Sequence, residues 1–290
     1  MYLNETNRAL VSTVLAGVLW GTSFPVIKVG LAVVDPYTFV FLRMLLASVL
    51  ALGISWVTNN LRITSAKQPL VWSLGVLNGF AYLIQYVGMN YTTASKSSLF
   101  VNLSVVWVAV LSSFFLKEQF SRKKTAGIIS GFIGVFLITT NLDLLQLTQG
   151  MIIGDGLVIL SGVLWSFFIL FNKRLTEQDN AIRFMPWMCI ATTLPLVLFL
   201  PLFSTISVSP LTLEAWRIIG YTAVFCWVVP YYFWVKGLQH ITPTSSAVLL
   251  LLEVVTAMFI SWLVLGETFT FISIVGGSFI LIAIVFVSIR

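Results

Sequence analysis

Glu253 stands inside the run Leu249-Leu250-Leu251-Leu252-Glu253-Val254-Val255. An ionised carboxylate at that depth in a membrane costs roughly 2.5–3.5 kcal/mol or more, so it must face protein or water. Such a group can bind the ammonium of a solute, or take up and release a proton during transport. The structural alternative is a fixed ion pair with Arg43, a cation well inside another apolar run. Arg43 reads first as structural, tying helices together or binding backbone carbonyls, ahead of direct recognition of a solute carboxylate.

Around these charges the sequence offers aromatic and amide side chains. Trp20 and Trp165 fall near mid-run, away from the interfacial belts where tryptophan collects. With Tyr82, Tyr86, Trp107, Tyr231 and Trp234 they can line a pocket suited to flat apolar groups or to a cation. Packing is the commoner use of such rings. Asn78, Tyr82 and Gln85 are spaced four and three apart, so they share a helix face that should point to a cavity; Asn102 follows in the next run. Interhelical hydrogen bonding is the plainer reading for these amides. Pro25 frees a backbone carbonyl beside Gly21 and Ser23, so the freed carbonyl and the Ser23 hydroxyl can line the same cavity. Trp20, Ser23, Asn78, Tyr82, Gln85, Asn102, Trp165, Tyr231 and Glu253 are therefore the candidate solute-binding set, with Glu253 as the coupling group.

The elements that must position them follow from composition. Hydrophobic residues make up 59% of the chain and charged residues 9%, against about 25% charged in a soluble domain. Runs of about 20 apolar residues that do not alternate require helices. Breaks at charges, Pro and Gly place spans near 10–30, 36–57, 70–89, 95–116, 124–141, 152–172, 184–203, 214–235, 243–265 and 269–289. The expected fold is an all-α integral membrane protein with ten transmembrane helices.

Two halves are expected, 10–141 and 152–289. Gly17-Val18-Leu19-Trp20 followed by Lys28 recurs as Gly162-Val163-Leu164-Trp165 followed by Lys173. At a slightly larger offset Ser97, Glu118, Phe120 and Gly127 match Ser246, Glu267, Phe269 and Gly276, and Ser104 aligns with Glu253. Because five crossings are an odd number, the repeats are inverted, the arrangement behind alternating access. Trp20 and Trp165 should then face each other across the pseudo-two-fold axis.

Arg8, Arg62, Lys67, Lys117, Arg122, Lys123, Lys124, Lys173, Arg174, Arg183, Lys236 and Arg290 all fall on the side of the termini. Lys28, Lys96 and Arg217 fall opposite, so both termini are expected in the cytoplasm, in a plasma or inner membrane. Anionic lipid headgroups account for the net charge of +6, and no nucleic acid is needed. Lys28 and Lys173 read as snorkelling anchors. Glu118 and Glu267 read as turn residues favoured by the next helix dipole. Gly127, Gly131, Gly276 and Gly277 allow close helix contact, within one chain or in a homodimer. The first span reads as a retained helix. Cys189 and Cys226 suggest neither a disulfide framework nor a metal site.

Leu-Trp-Gly-Thr-Ser-Phe-Pro at 19–25, Phe-Leu-Arg-Met-Leu-Leu-Ala at 41–47 and the Leu-x-Glu-x-Phe turns at 116–120 and 265–269 resemble EamA-type transporters of the drug/metabolite transporter superfamily. The resemblance covers nearly the whole chain and implies a secondary transporter of small organic solutes, many relatives exporting amino acids. The family often has Pro where Val105 and Val254 stand, and Gly where Lys117 stands. The leading expectation is amino-acid export by alternating access, with proton coupling through Glu253. Its rival is import of a cationic nutrient such as a quaternary amine. An intramembrane enzyme fits poorly, since the one histidine, His240, falls in a loop and no His-Glu-x-x-His motif exists. With no P-loop, ATP is not the direct energy source, and no cofactor is implied. Charged rings or filter loops of a channel are also lacking.

Overall fold

The computed structural model describes residues 4–89, 91–92, 94–203, 211–266 and 268–288. Glu267 and Arg290, used above, lie outside the described residues. Described residues form helices joined by short turns, with no strand among them. Ten long helical stretches follow one another. We label them α1 (Glu5–Gly21 and Ser23–Leu31), α2 (Pro36–Val57), α3 (Pro69–Met89), α4 (Ala94–Asn102 and Ser104–Leu116) and α5 (Arg122–Thr140) in the first half. The second half holds α6 (Ile152–Gln178), α7 (Ala181–Phe203), α8 (Leu213–Leu238), α9 (Pro243–Leu250 and Leu252–Leu265) and α10 (Phe271–Ser288).

Nine of these stretches are long and apolar enough to cross a membrane among the described residues. The tenth, α5, has 19 residues but opens on Arg122-Lys123-Lys124, which dilutes its apolar content. It lies lengthwise along α10, the most extensive pairing in the molecule.

Local chemistry sets the starts. Asn4, Asp35, Ser121, Thr212 and Thr242 each accept a backbone N–H of the following turn, and each precedes a long helix. Such caps contribute about 1 kcal/mol apiece. The spans read from sequence fall on the observed helices, with one informative overrun. Helix α6 continues past residue 172 to Gln178. Lys173 does not snorkel: its ammonium donates to the carbonyls of Leu238 (2.9 Å) and Gln239 (2.7 Å), at the end of α8. A basic residue that caps a neighbouring helix does not end its own.

The two halves interdigitate. Helix α1 packs on α8 and α9 of the other half, and α6 packs on α3 and α4 in the matching way. Lipid gives helices no hydrophobic reason to associate, so close backbone approach must supply the contact. A methyl group added at Gly17 would stand 3.5 Å from the carbonyl oxygen of Leu249, and one at the equivalent Gly162 would stand 3.2 Å from that of Phe100. The repeated Gly-Val-Leu-Trp thus marks the face that each half lays on the other. Gly127, Gly134 and Gly276 are consumed in the α5–α10 contact within one chain: a methyl at Gly134 would meet the Gly276 carbonyl oxygen at 2.6 Å.

Helices α4 and α9 break alike. Leu103 (φ −57°, ψ −17°) and Leu251 (φ −57°, ψ −15°) separate their two segments. Both helices end on a left-handed residue, Lys117 (φ 53°) and Gly266 (φ 68°), whose N–H returns to Ser112 and Ser261 respectively.

Candidate functional site

Three helix irregularities converge on the centre. Pro25 removes the N–H that would have reached Gly21, and α1 breaks at Thr22. Ser23 spends its hydroxyl on the Trp20 carbonyl (2.5 Å), and Thr22 on that of Leu19 (2.7 Å). Ser23 is buried, and its hydroxyl is already given to the Trp20 carbonyl of its own helix, one residue before the Gly21 carbonyl that Pro25 frees.

Pro230 acts similarly in α8, which widens into a π-helical turn over Val224–Val228. Proline at 230 cannot donate to the carbonyl four residues earlier, at Cys226. Arg43, 3% exposed, fills the vacancy: its Nη2 donates to that carbonyl at 2.9 Å. The Arg43 side chain thus ties α2 to α8 through a backbone carbonyl. Its Nε–H has no partner, and no carboxylate lies within ion-pair distance of it among the described residues. The fixed Arg43–Glu253 pair is not formed.

Glu253 lies two residues beyond the break in α9. The broken part of α1 presses against it: a methyl at Gly21 would stand 2.6 Å from the Glu253 carbonyl oxygen and 2.5 Å from Thr256 Cβ. Glu253 is only partly covered by the surrounding protein. Its carboxyl has no hydrogen-bond or ion-pair partner among the described residues. Tyr82 and Tyr86, on α3, are likewise only partly covered.

Aromatic rings run outward from this point. Trp165 meets Tyr82 edge-on (5.3 Å between centroids), Tyr82 meets Trp227 (5.6 Å), Trp227 stacks on Tyr231 (5.6 Å), and Tyr231 leads to Trp234 (5.7 Å) and Trp20 (5.9 Å). Trp20 and Trp165 therefore do not pack face to face. They stand at opposite ends of a ring chain.

The remaining candidates divide. Asn78, 1% exposed, accepts from Trp165 Nε1 (3.1 Å) and donates to Thr192 (3.3 Å). Tyr231 is buried and donates to Asn172 (2.9 Å). Asn102 returns its amide to the Ser98 carbonyl (2.9 Å) within α4. Gln85 is partly uncovered and has no partner among the described residues. Trp107 is half-buried with its Nε1 unpaired. Tyr82 and Trp165 meet at one end of the ring chain and Trp20 stands at the other, one residue before the Gly21 that abuts Glu253, while Ser23, Asn102 and Tyr231 spend their polar atoms on helix carbonyls or packing. Thr22 and Cys226 were missed by sequence reasoning: Thr22 Oγ1 lies 3.7 Å from Cys226 Sγ and accepts from Tyr221 (3.0 Å). Pro230 was the signal for Cys226.

Both ends carry polar contacts between the halves. Near the termini, Glu118 accepts from Ser112, from Thr244 (2.9 Å) and from Lys124 (2.9 Å), while Lys124 also reaches Thr242 (3.3 Å). Burial alone would raise the Glu118 carboxyl, but hydrogen bonds from Ser112, Thr242 and Lys124 and the ammonium charge outweigh it and hold it below the usual carboxylate range. Glu118 thus clasps the two halves in addition to lying before a helix. These residues edge a basin of about 990 Å³ open at that end. At the opposite end Lys96 pairs with Asp155 and donates to the Gln149 carbonyl (2.8 Å), and Thr92 donates to Asp155 (2.5 Å).

Two interdigitated halves around a charged centre define a multi-pass membrane transporter of a small solute. The description of the EamA-like transporter family matches twice, over residues 7–140 and 152–289, and the chain belongs to that family. It is 30% identical over 280 residues to a protein of Archaeoglobus fulgidus named "Uncharacterized transporter", covering 94% of each chain. It is 27% identical to "Uncharacterized transporter YdfC" of Bacillus subtilis, over 94% of this chain and 88% of the other. A Salmonella typhimurium protein named "Probable amino-acid metabolite efflux pump" is 26% identical over 92% of this chain and 90% of its own. A solved structure titled "Crystal structure of protein" shares the fold at a TM-score of 0.83 and 16% identity, covering 97% of this chain and 96% of that one.

Proposed function

We propose that the protein is a secondary transporter that exports an amino acid by alternating access and performs no chemical conversion. One observation carries this reading: a carboxyl within the membrane span, Glu253, without a partner among the described residues, beside the break in α1. A group left unpaired in the membrane interior is stabilised by what passes through, either a solute ammonium or a proton. The efflux pump named among the relatives supports amino acids and the outward direction. The excess of Lys and Arg on the side of the termini supports cytoplasmic termini in a cell membrane. The two repeats, 10–141 and 152–289, supply two nearly equivalent packings, and Glu253 carries the coupling proton in this scheme. The polar contacts at the two ends would open in turn.

The test is efflux of a preloaded, labelled neutral amino acid from proteoliposomes under an imposed proton gradient. Wild-type flux should respond to the gradient. Glu253→Gln should lower it about tenfold to hundredfold, the equivalent of losing a charge-assisted hydrogen bond of ~1.5–3 kcal/mol. Unchanged flux in well-folded Glu253→Gln protein refutes the role given to Glu253.

A further inference from the structure

Arg43, buried, and Glu253, partly covered, have no counter-charge in ion-pair reach among the described residues, and that shared deficit has a chemical meaning. Arg43 has five N–H donors. One bond, Nη2 to the Cys226 carbonyl, holds the guanidinium in place, and no described residue offers it a carboxylate. Glu253 is in the complementary position, a partly covered carboxyl with no cation in ion-pair reach among the described residues. A desolvated charge without a partner is a costly feature in a membrane protein.

The geometry also explains why the two do not neutralise each other. Arg43 is anchored to α8 at Cys226, whose thiol touches Thr22, and the adjoining Gly21 abuts the Glu253 backbone on α9. The Gly21–Thr22 break of α1 therefore sits between the anchor of the positive group and the backbone of the negative one.

We propose that Arg43 and Glu253 are the two poles of a zwitterion site, the guanidinium receiving the carboxylate and Glu253 the ammonium of an α-amino acid. This deepens the transport reading above and rests on it. The solute must bring both charges, because either charge alone leaves one pole of the site unmatched. Its side chain is neutral and lies against the half-buried ring of Tyr82 and the rings it meets. A quaternary amine, satisfying Glu253 alone, would leave Arg43 uncompensated.

The experiment is counterflow of labelled L-leucine into proteoliposomes, with unlabelled L-leucine, isoamylamine (leucine without its carboxylate) and isocaproate (leucine without its ammonium) as competitors. In the wild type only leucine should compete. Arg43→Gln should weaken leucine about tenfold to hundredfold and bring isoamylamine level with it. Glu253→Gln should do the same for isocaproate. Arg43→Lys keeps the positive charge and can still reach the Cys226 carbonyl, so it guards against misfolding of the Gln variant. It should retain rejection of isoamylamine with weaker leucine binding.

If isoamylamine competes in the wild type as well as leucine does, the two-pole site is wrong while amino-acid transport stands. Leucine binding that is unchanged in Arg43→Gln shows that Arg43 only anchors α8, with the same consequence. If L-leucine gives neither counterflow nor thermal stabilisation of the wild type, the amino-acid reading falls, and the zwitterion site falls with it.

Discussion

The α1–α8 pair and its pseudo-equivalent, α6–α3, have the same place in the fold and opposite character. Helix α1 is broken at Thr22 and α8 is widened at Val224–Val228, whereas α6 and α3 run unbroken over Ile152–Gln178 and Pro69–Met89. The contrast is sharpest at one matched contact. Ser166 on α6 shares its hydroxyl between the Gly162 carbonyl of its own helix (2.7 Å) and the Ser104 carbonyl (3.2 Å), while its counterpart Gly21 on α1 abuts the carbonyl of Glu253 with no side chain between. Symmetric scaffolding thus holds an asymmetric centre. Proline made the difference: Pro25 and Pro230 free carbonyls on one pair, and α6 has no proline along its length.

Several changes would break or sharpen this contrast, the largest first. Glu118 clasps the two halves from the end, beyond both pairs, accepting from Lys124 of α5 and Thr244 of α9. Glu118→Ala should lower stability by about 3 kcal/mol, as expected when one member of a buried pair is removed. Its carboxyl is held low when folded, so its contribution is present above the unfolded carboxylate pKa of about 4.3 and is lost as pH falls through the folded value. Thermal melts of wild type and Glu118→Gln should therefore converge at acid pH. Curves that stay parallel would contradict the clasp.

Gly21→Ala should cost about 1–3 kcal/mol by overpacking, since its new methyl falls 2.5 Å from Thr256 Cβ. Gly162→Ala, with its closest contact at 3.2 Å, should cost less. Equal losses in the two melts would erase the difference between the pairs. Ser166→Ala should cost about 1 kcal/mol, one buried hydrogen bond, and leave flux near wild type. The smallest effect has the opposite sign. Lys117 holds a left-handed backbone where the second half has Gly266, so Lys117→Gly should stabilise by up to about 1 kcal/mol. A lower melting temperature in that variant would show that the lysine side chain contributes more than its backbone strain costs.

The ten spans were legible because a lipid-spanning helix must be apolar along its whole length, and the Trp20/Trp165 repeat because helix contact reuses the same glycine face. Glu253 was legible as a charge out of place. What the sequence concealed are partnerships. Nothing local to Arg43 says that it will fill the carbonyl freed by Pro230 at a separation of 183 residues. The spacing of Ser23 is silent about the Trp20 carbonyl that takes its hydroxyl. Lys173 looked like an interfacial anchor until α8 was seen to end beneath it.

The central claim is that solute chemistry resides at Glu253 and not at its pseudo-equivalent, Ser104. Matched proteoliposomes of wild type, Glu253→Gln and Ser104→Ala, assayed side by side for gradient-driven efflux of labelled L-leucine, test it most directly. The account predicts loss of flux in Glu253→Gln alone, with Ser104→Ala close to wild type. Equal flux in all three, or equal loss in both variants, would contradict it.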